Sequence, residues 1–152
     1  VAETEVEAGF EDAGDAAFRR LFRYIGGDNR AQEKIAMTAP VTQVKGEKIA
    51  MTVPVTQVGD GGRYRVAFIV PSKYTAETVP VPTDPRVAIR AVPAQRVAAW
   101  RYSGRWTQER YDGMEGRLRE AMAARGLAAA GPPVLARYNP PMLPWFLRRN
   151  EV

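Results

Sequence analysis

Lys34-Ile35-Ala36-Met37-Thr38-Ala39-Pro40-Val41-Thr42-Gln43-Val44 recurs almost unchanged as Lys48-Ile49-Ala50-Met51-Thr52-Val53-Pro54-Val55-Thr56-Gln57-Val58. One position differs between the copies, Ala39 against Val53. Two copies are too few for a solenoid, which needs about three stacked units. Period-two alternation instead puts Ile35, Met37, Ala39 and Val41 on one face of a strand. Ile49, Met51, Val53 and Val55 do the same in the second copy. Lys45-Gly46-Glu47 between them is a turn sequence, so the pair predicts a β-hairpin. Pro40 and Pro54 cannot donate to a ladder and belong at an edge or a bulge.

Working outward toward the N-terminus, Thr4–Ala8 alternates and predicts a strand that turns at Gly9. A helix is expected from Glu11, with Glu11, Asp12 and Asp15 near its positive end. Advancing about 100° per residue places Gly14, Ala17, Phe18, Leu21 and Ile25 on one arc, with Phe22 at its edge. Asp12, Asp15, Arg19, Arg20 and Arg23 take the opposite arc. Gly26-Gly27 then ends the helix.

Toward the C-terminus, Gly59–Gly62 predicts a loop and Arg63–Val70 a strand stopped by Pro71-Ser72. Thr78–Pro85 is a proline-rich loop, and Val87–Val92 and Arg96–Tyr102 are two further strands about Pro93-Ala94. Thr107 is the expected cap of a second helix running to Arg125, with Tyr111, Met114, Leu118 and Met122 on one face and Gly126 as its stop. Val134–Tyr138 is a short strand, Asn139-Pro140-Pro141 a turn, and Trp145–Glu151 an extended piece. The order strand, helix, strands thus occurs twice. This points to an internal duplication and a pseudo-twofold α+β barrel.

Composition bounds the chemistry. At 152 residues the chain suits one domain, residues 1–152, with a core that needs no staples. Twelve prolines and thirteen glycines favour short strands joined by turns. There is no cysteine, which removes disulfides, thiolate metal sites and thiol nucleophiles and is compatible with a reducing cytoplasm. There is no histidine, so neither a Ser-His-Asp triad nor a His-ligated zinc or haem site can be built. The net charge of +5 suggests affinity for anions, but the basic residues are scattered. No basic run interleaved with aromatics and no Gly-rich phosphate loop argues for nucleic acid. No stretch approaches the roughly 18 apolar residues of a membrane span, and no signal peptide is visible; an exported form whose leader has been removed stays open.

Several strings, taken together, resemble the SOUL haem-binding family. They are Tyr24-Ile25-Gly26-Gly27-Asp28-Asn29, Lys34 to Val41, Phe68-Ile69-Val70-Pro71-Ser72-Lys73-Tyr74 and Ser103-Gly104. Tyr138-Asn139-Pro140-Pro141-Met142-Leu143-Pro144-Trp145 and Arg148-Arg149-Asn150-Glu151 complete the set, in the family's order and across nearly the whole chain. The resemblance implies a distorted antiparallel β-barrel of two pseudo-twofold-related halves flanked by two helices. It also implies non-covalent binding of haem or another porphyrin in an open apolar cleft. In the family an additional strand precedes the position where this chain begins; were it missing, its neighbour would carry an unpaired edge.

Carried over by position, the cleft comprises Asp15, Phe18, Phe22 and Arg23 on the first helix, with Met142 and Leu143 in the loop after Pro140-Pro141. Phe22 can line a half-exposed groove, and Arg23 can pair with a propionate. The family often has basic residues where this chain has Asp15 and Leu143, which weakens propionate anchoring. Phe18 and Phe22 also read as ordinary core, and Arg23 as a solvated surface residue. Met37 and Met51 are core filler by their inward strand positions. Met142, Tyr24 and Tyr138 are the remaining protein candidates for an iron ligand, so haem is expected without a histidine ligand. Three classes of function follow: tetrapyrrole carrier, buffer or sensor; effector-binding or protein-interaction module; and enzyme on porphyrin-like substrates. No convergent carboxylate pair or nucleophile–base set supports the last.

Overall fold

Alternation decides the first element: Ala2, Thr4 and Val6 are buried while Glu5 and Glu7 face solvent, forming strand β1 (Ala2–Glu7). The computed structural model of the chain describes residues 1–30, 46–50, 54–139 and 142–152. The first repeat copy, Lys45 and Met51–Val53 lie outside the described residues, and with them the expected repeat hairpin, the Met37 and Met51 positions and Pro140-Pro141.

Helix α1 (Phe10–Gly26) follows β1, then the short strand β2 (Asn29–Arg30). Strands β3 (Val55–Asp60) and β4 (Arg63–Phe68) form a tight hairpin. Its two-residue turn is Gly61-Gly62, with φ of +56° and +87°. Two successive positive φ angles match strand twist in a primed turn and suit glycine. Strands β5 (Val81–Pro82), β6 (Ala88–Ile89) and β7 (Arg101–Tyr102) are brief. Helix α2 (Gln108–Ala123), strand β8 (Leu135–Arg137), a 3-10 helix at Trp145–Leu147 and strand β9 (Asn150–Glu151) complete the order.

Seven strands make one sheet in the order β6-β1-β4-β3-β8-β9-β7, and β2 pairs with β5 as a separate ribbon. Every pairing among the described residues is antiparallel. Among the described residues the chain is therefore α+β with two helices, as the sequence leads one to expect. Among the described residues no pairing joins the β6 and β7 ends of the sheet.

Several boundaries differ from the sequence reading. The expected strands Val87–Val92 and Arg96–Tyr102 shrink to two residues each, and Val92 and Val97 between them are exposed, so little burial holds that stretch in a ladder. Trp100 still exchanges backbone hydrogen bonds with Val152, at 2.8 and 3.2 Å. Gly59 and Asp60, assigned to a loop, are ladder residues, and Val81–Pro82 in the proline-rich loop pairs with β2. The expected extended piece from Trp145 opens with a 3-10 turn closed by Leu147 N–H donating to Pro144 O at 2.9 Å. In the second repeat copy, Lys48-Ile49-Ala50 is not strand, and Val55, directly after Pro54, is the first described residue of the copy that joins a ladder.

The core lies between α1 and the sheet. Ala13, Gly14, Ala17 and Leu21 let the helix approach β1 and β4 closely. Phe10 packs edge-on against Tyr64 at 6.0 Å and tilted against Tyr111 at 5.1 Å. Tyr24, absent from the expected arc, is buried; its hydroxyl donates to Pro80 O at 2.8 Å.

Candidate functional site

At about 100° per residue, Asp15, Phe18, Arg19, Phe22 and Arg23 fall within one arc of α1, beside its buried face. Asp15, Arg19 and Arg23 are exposed. Phe18 is half-buried and tilts against Phe68 of β4, with ring centroids 5.5 Å apart. Phe22, one turn on, stacks on Phe18 at 5.5 Å with only 18° between the planes, yet remains 51% exposed. The pair forms an aromatic step from core to solvent. Keeping one phenyl half in water forgoes about 1 kcal/mol of burial. A concavity of ≈ 450 Å³ adjoins the step and is lined by Asp12, Asp15, Ala16, Phe18 and Arg19.

Beneath the N-terminal half of α1 lies a residue that the sequence reading did not nominate. Arg137 of β8 is 6% exposed, and its Nη2 donates to Gln57 Oε1 at 2.9 Å. Gln57 Nε2 in turn donates to Phe10 O at 2.9 Å, tying β3 to the start of α1. Burial pushes the Arg137 guanidinium down to about 10, opposed by nearby Asp15 and Tyr102, so it stays charged at neutral pH. Its Nε is buried with no hydrogen-bond partner among the described residues. Gly14 explains how α1 can lie over it: a methyl group there would collide with the guanidinium.

The Arg137 guanidinium also meets Trp106, whose ring centroid is 4.6 Å from Cζ. Arg148 covers Trp106 as well, at 4.3 Å. Trp106 Nε1 donates to Asn150 Oδ1 at 2.7 Å, which fixes the indole against β9. Arg148 Nε donates to Leu143 O at 2.8 Å. A continuous relay therefore runs from Gly14 and Asp15 through Arg137, Trp106 and Arg148 to the loop that carries Met142 and Leu143. Leu143 is held by its carbonyl and half-buried, whereas the Met142 side chain is 83% exposed.

The six nominated residues thus fall into two groups. Asp15, Phe18, Phe22 and Arg23 share one side of α1, and Met142 and Leu143 lie at the far end of the Arg137 relay. Arg137 and Trp106 were the residues missed. Alternation within Val134–Tyr138 puts Arg137 on the same face as buried Leu135, so an inward arginine was readable there. Nothing local marks Trp106 beyond its place before the Thr107 cap. Chemically, the helix arc offers an apolar aromatic wall with guanidinium groups beside it. Among the described residues, no cluster of three or more His, Cys, Asp or Glu could hold a metal ion. No helix there is long and apolar enough to cross a membrane.

The family model described as SOUL heme-binding protein matches residues 1–152. The chain is 28% identical over 145 residues to heme-binding protein 1 of Xenopus tropicalis. It is 27% identical over 143 residues to heme-binding protein 1 of Xenopus laevis. Each alignment covers 94% of this chain and 70% of the frog protein.

Proposed function

Since the chain belongs to the SOUL heme-binding protein family, we propose that it binds haem or a related tetrapyrrole, without catalysis, in an open cleft beside α1. The observation that carries this reading is the stacked Phe18–Phe22 step, whose outer ring stays half in water although burial would stabilise the free protein. A flat macrocycle laid on Phe22 would complete that burial. Arg23, with Arg19 beside it, would pair with the propionates, and Asp15 would limit how close they approach. Met142 and Leu143, held relative to α1 by the Arg137–Trp106–Arg148 relay, would form the second wall.

The residues fit the macrocycle and its carboxylates better than they fit the iron. A chain with no histidine or cysteine leaves methionine, tyrosine or water as iron ligands, and the exposed Met142 thioether is the soft donor at this wall. The group would supply light absorption and iron-centred chemistry; the protein's part is to bind, orient and partly desolvate it. A carrier, buffer or sensor role fits an open cleft. The seven-stranded sheet with its β2–β5 ribbon would form the wall of a distorted barrel of two duplicated halves, β1–α1 and β7–α2 beginning each half.

Haemin titration tests the cleft, following the Soret band and tryptophan quenching. Saturable one-to-one binding is expected, weakened about tenfold by Phe22→Ala and about threefold to tenfold by Arg23→Ala, the latter fading as salt rises. Binding indifferent to both substitutions would reject the cleft and favour an effector-binding or protein-interaction module instead.

A further inference from the structure

A second concavity lies between α2 and the 3-10 helix. Its volume is ≈ 520 Å³, inside the range of about 300–1,000 Å³ common for small-ligand sites. It shares no lining residue with the α1 concavity, and the proposed cleft on α1 makes no use of it.

Four features give it a chemical character. Trp145 presents an indole that is 46% exposed, braced edge-on by Phe146 at 5.5 Å. Arg105 stands 5.6 Å from that indole's centroid, within cation–π reach. Gly113 supplies bare helix backbone: a Cβ added there would meet nothing within 4 Å among the described residues. Arg110 is preset at the wall, since its Nε and Nη2 both donate to Ser103 O, at 3.0 and 2.7 Å. Gly104, at φ +130°, makes that placement possible, because a side chain there would strike the Arg110 guanidinium. Among the described lining residues, two arginines against the one carboxylate of Glu109 leave the site positive.

We propose that this concavity is a binding site for a planar aromatic carboxylate. The ring would lie between Trp145 and the half-buried Met114, over the gap at Gly113. The carboxylate would meet Arg105 and the remaining donor edge of Arg110. Apolar stacking supplies contact area and the paired cations select charge.

The probe is 1-pyrenebutyrate, with the uncharged 1-pyrenebutanol as its control, followed by fluorescence anisotropy on the full chain. Saturable binding is expected, with the alcohol about tenfold weaker. Gly113→Leu fills the gap while raising helix propensity, so the fold is retained as judged by circular dichroism. It should weaken pyrenebutyrate at least about tenfold, and Arg105→Ala about threefold to tenfold. Phe22→Ala on the opposite helix should leave it unchanged. Equal affinity for acid and alcohol, or full binding by Gly113→Leu, would overturn the proposal. So would loss of binding in Phe22→Ala alone, which would place the probe at the α1 cleft.

Discussion

The two helices are almost equal in length, 17 and 16 residues, but they are held by different forces. α1 buries Phe10, Ala13, Gly14, Ala17, Leu21, Tyr24 and Ile25, and its start is an uncapped glycine, Gly9. α2 buries only Tyr111, with Met114 and Leu118 partly covered. Its support is local. Thr107 Oγ1 accepts from Arg110 N–H at 3.4 Å, Glu115 pairs with Arg119 at 2.6 Å, and Gln108 Nε2 donates to Asp112 Oδ1 at 2.7 Å. Gly126, at φ +67°, closes the far end. The difference shows what a binding helix requires. Because the sheet side of α1 is locked by small and apolar residues, its outer side can keep Phe22 in water without the helix being lost.

The sharpest test sets Leu21→Ala against Leu118→Ala. Leu21 is fully buried, so truncation should cost about 2–5 kcal/mol in urea unfolding. Leu118, half-covered, should cost roughly 1 kcal/mol or less. Comparable losses would mean that α2 is anchored as firmly as α1.

The second test concerns what the helices share, a buried tyrosine. Burial raises the Tyr24 hydroxyl to about 12 and shifts Tyr111 in the same direction. Above about pH 10 the unfolded chain releases protons that the folded chain retains. Stability should therefore be constant just below pH 10 as far as these groups are concerned, then fall as pH climbs toward 12. The Tyr24 share is on the order of 2 kcal/mol. Tyr24→Phe should flatten that slope while losing about 1 kcal/mol at neutral pH with the Pro80 hydrogen bond. Chemical denaturation at stepped pH reads both.

The third test applies one substitution to both helices and expects opposite signs. Gly14→Ala improves helix propensity but drives a methyl group into the Arg137 guanidinium, a net loss of about 1–3 kcal/mol. Gly116→Ala meets nothing within 4 Å among the described residues and should gain about 0.5–1 kcal/mol. Thermal unfolding of the two variants would settle the sign.

Much of this frame was legible beforehand. Both helices, the Gly27 and Gly126 stops, the Thr107 cap and the strands around Thr4, Arg63 and Leu135 follow from periodicity and local chemistry. The two strands expected at Val87–Val92 and Arg96–Tyr102 are present, but their lengths were not legible, because Ala88–Ile89 and Arg101–Tyr102 owe their pairing to distant partners and not to any pattern of their own. The aromatic residues of the proposed cleft were readable as an edge of the α1 arc. The Arg137 relay was not, since Gly14, Gln57, Trp106, Arg137 and Arg148 come from five separated segments and meet only in three dimensions. Gly14 shows the limit well: its sequence neighbours explain a small residue facing a sheet, whereas its actual neighbour is a buried cation.

The position of β9 carries a consequence for how the chain is made. It lies between β8 and β7, with Arg101 opposite Glu151 and Ala136 opposite the same residue. β7 therefore leaves the ribosome well before its backbone partner exists, and must wait through the synthesis of α2, β8 and the loop beyond. Its amides stay hydrated until β9 slots in, so this corner of the sheet is assembled last, by a contact of long sequence separation.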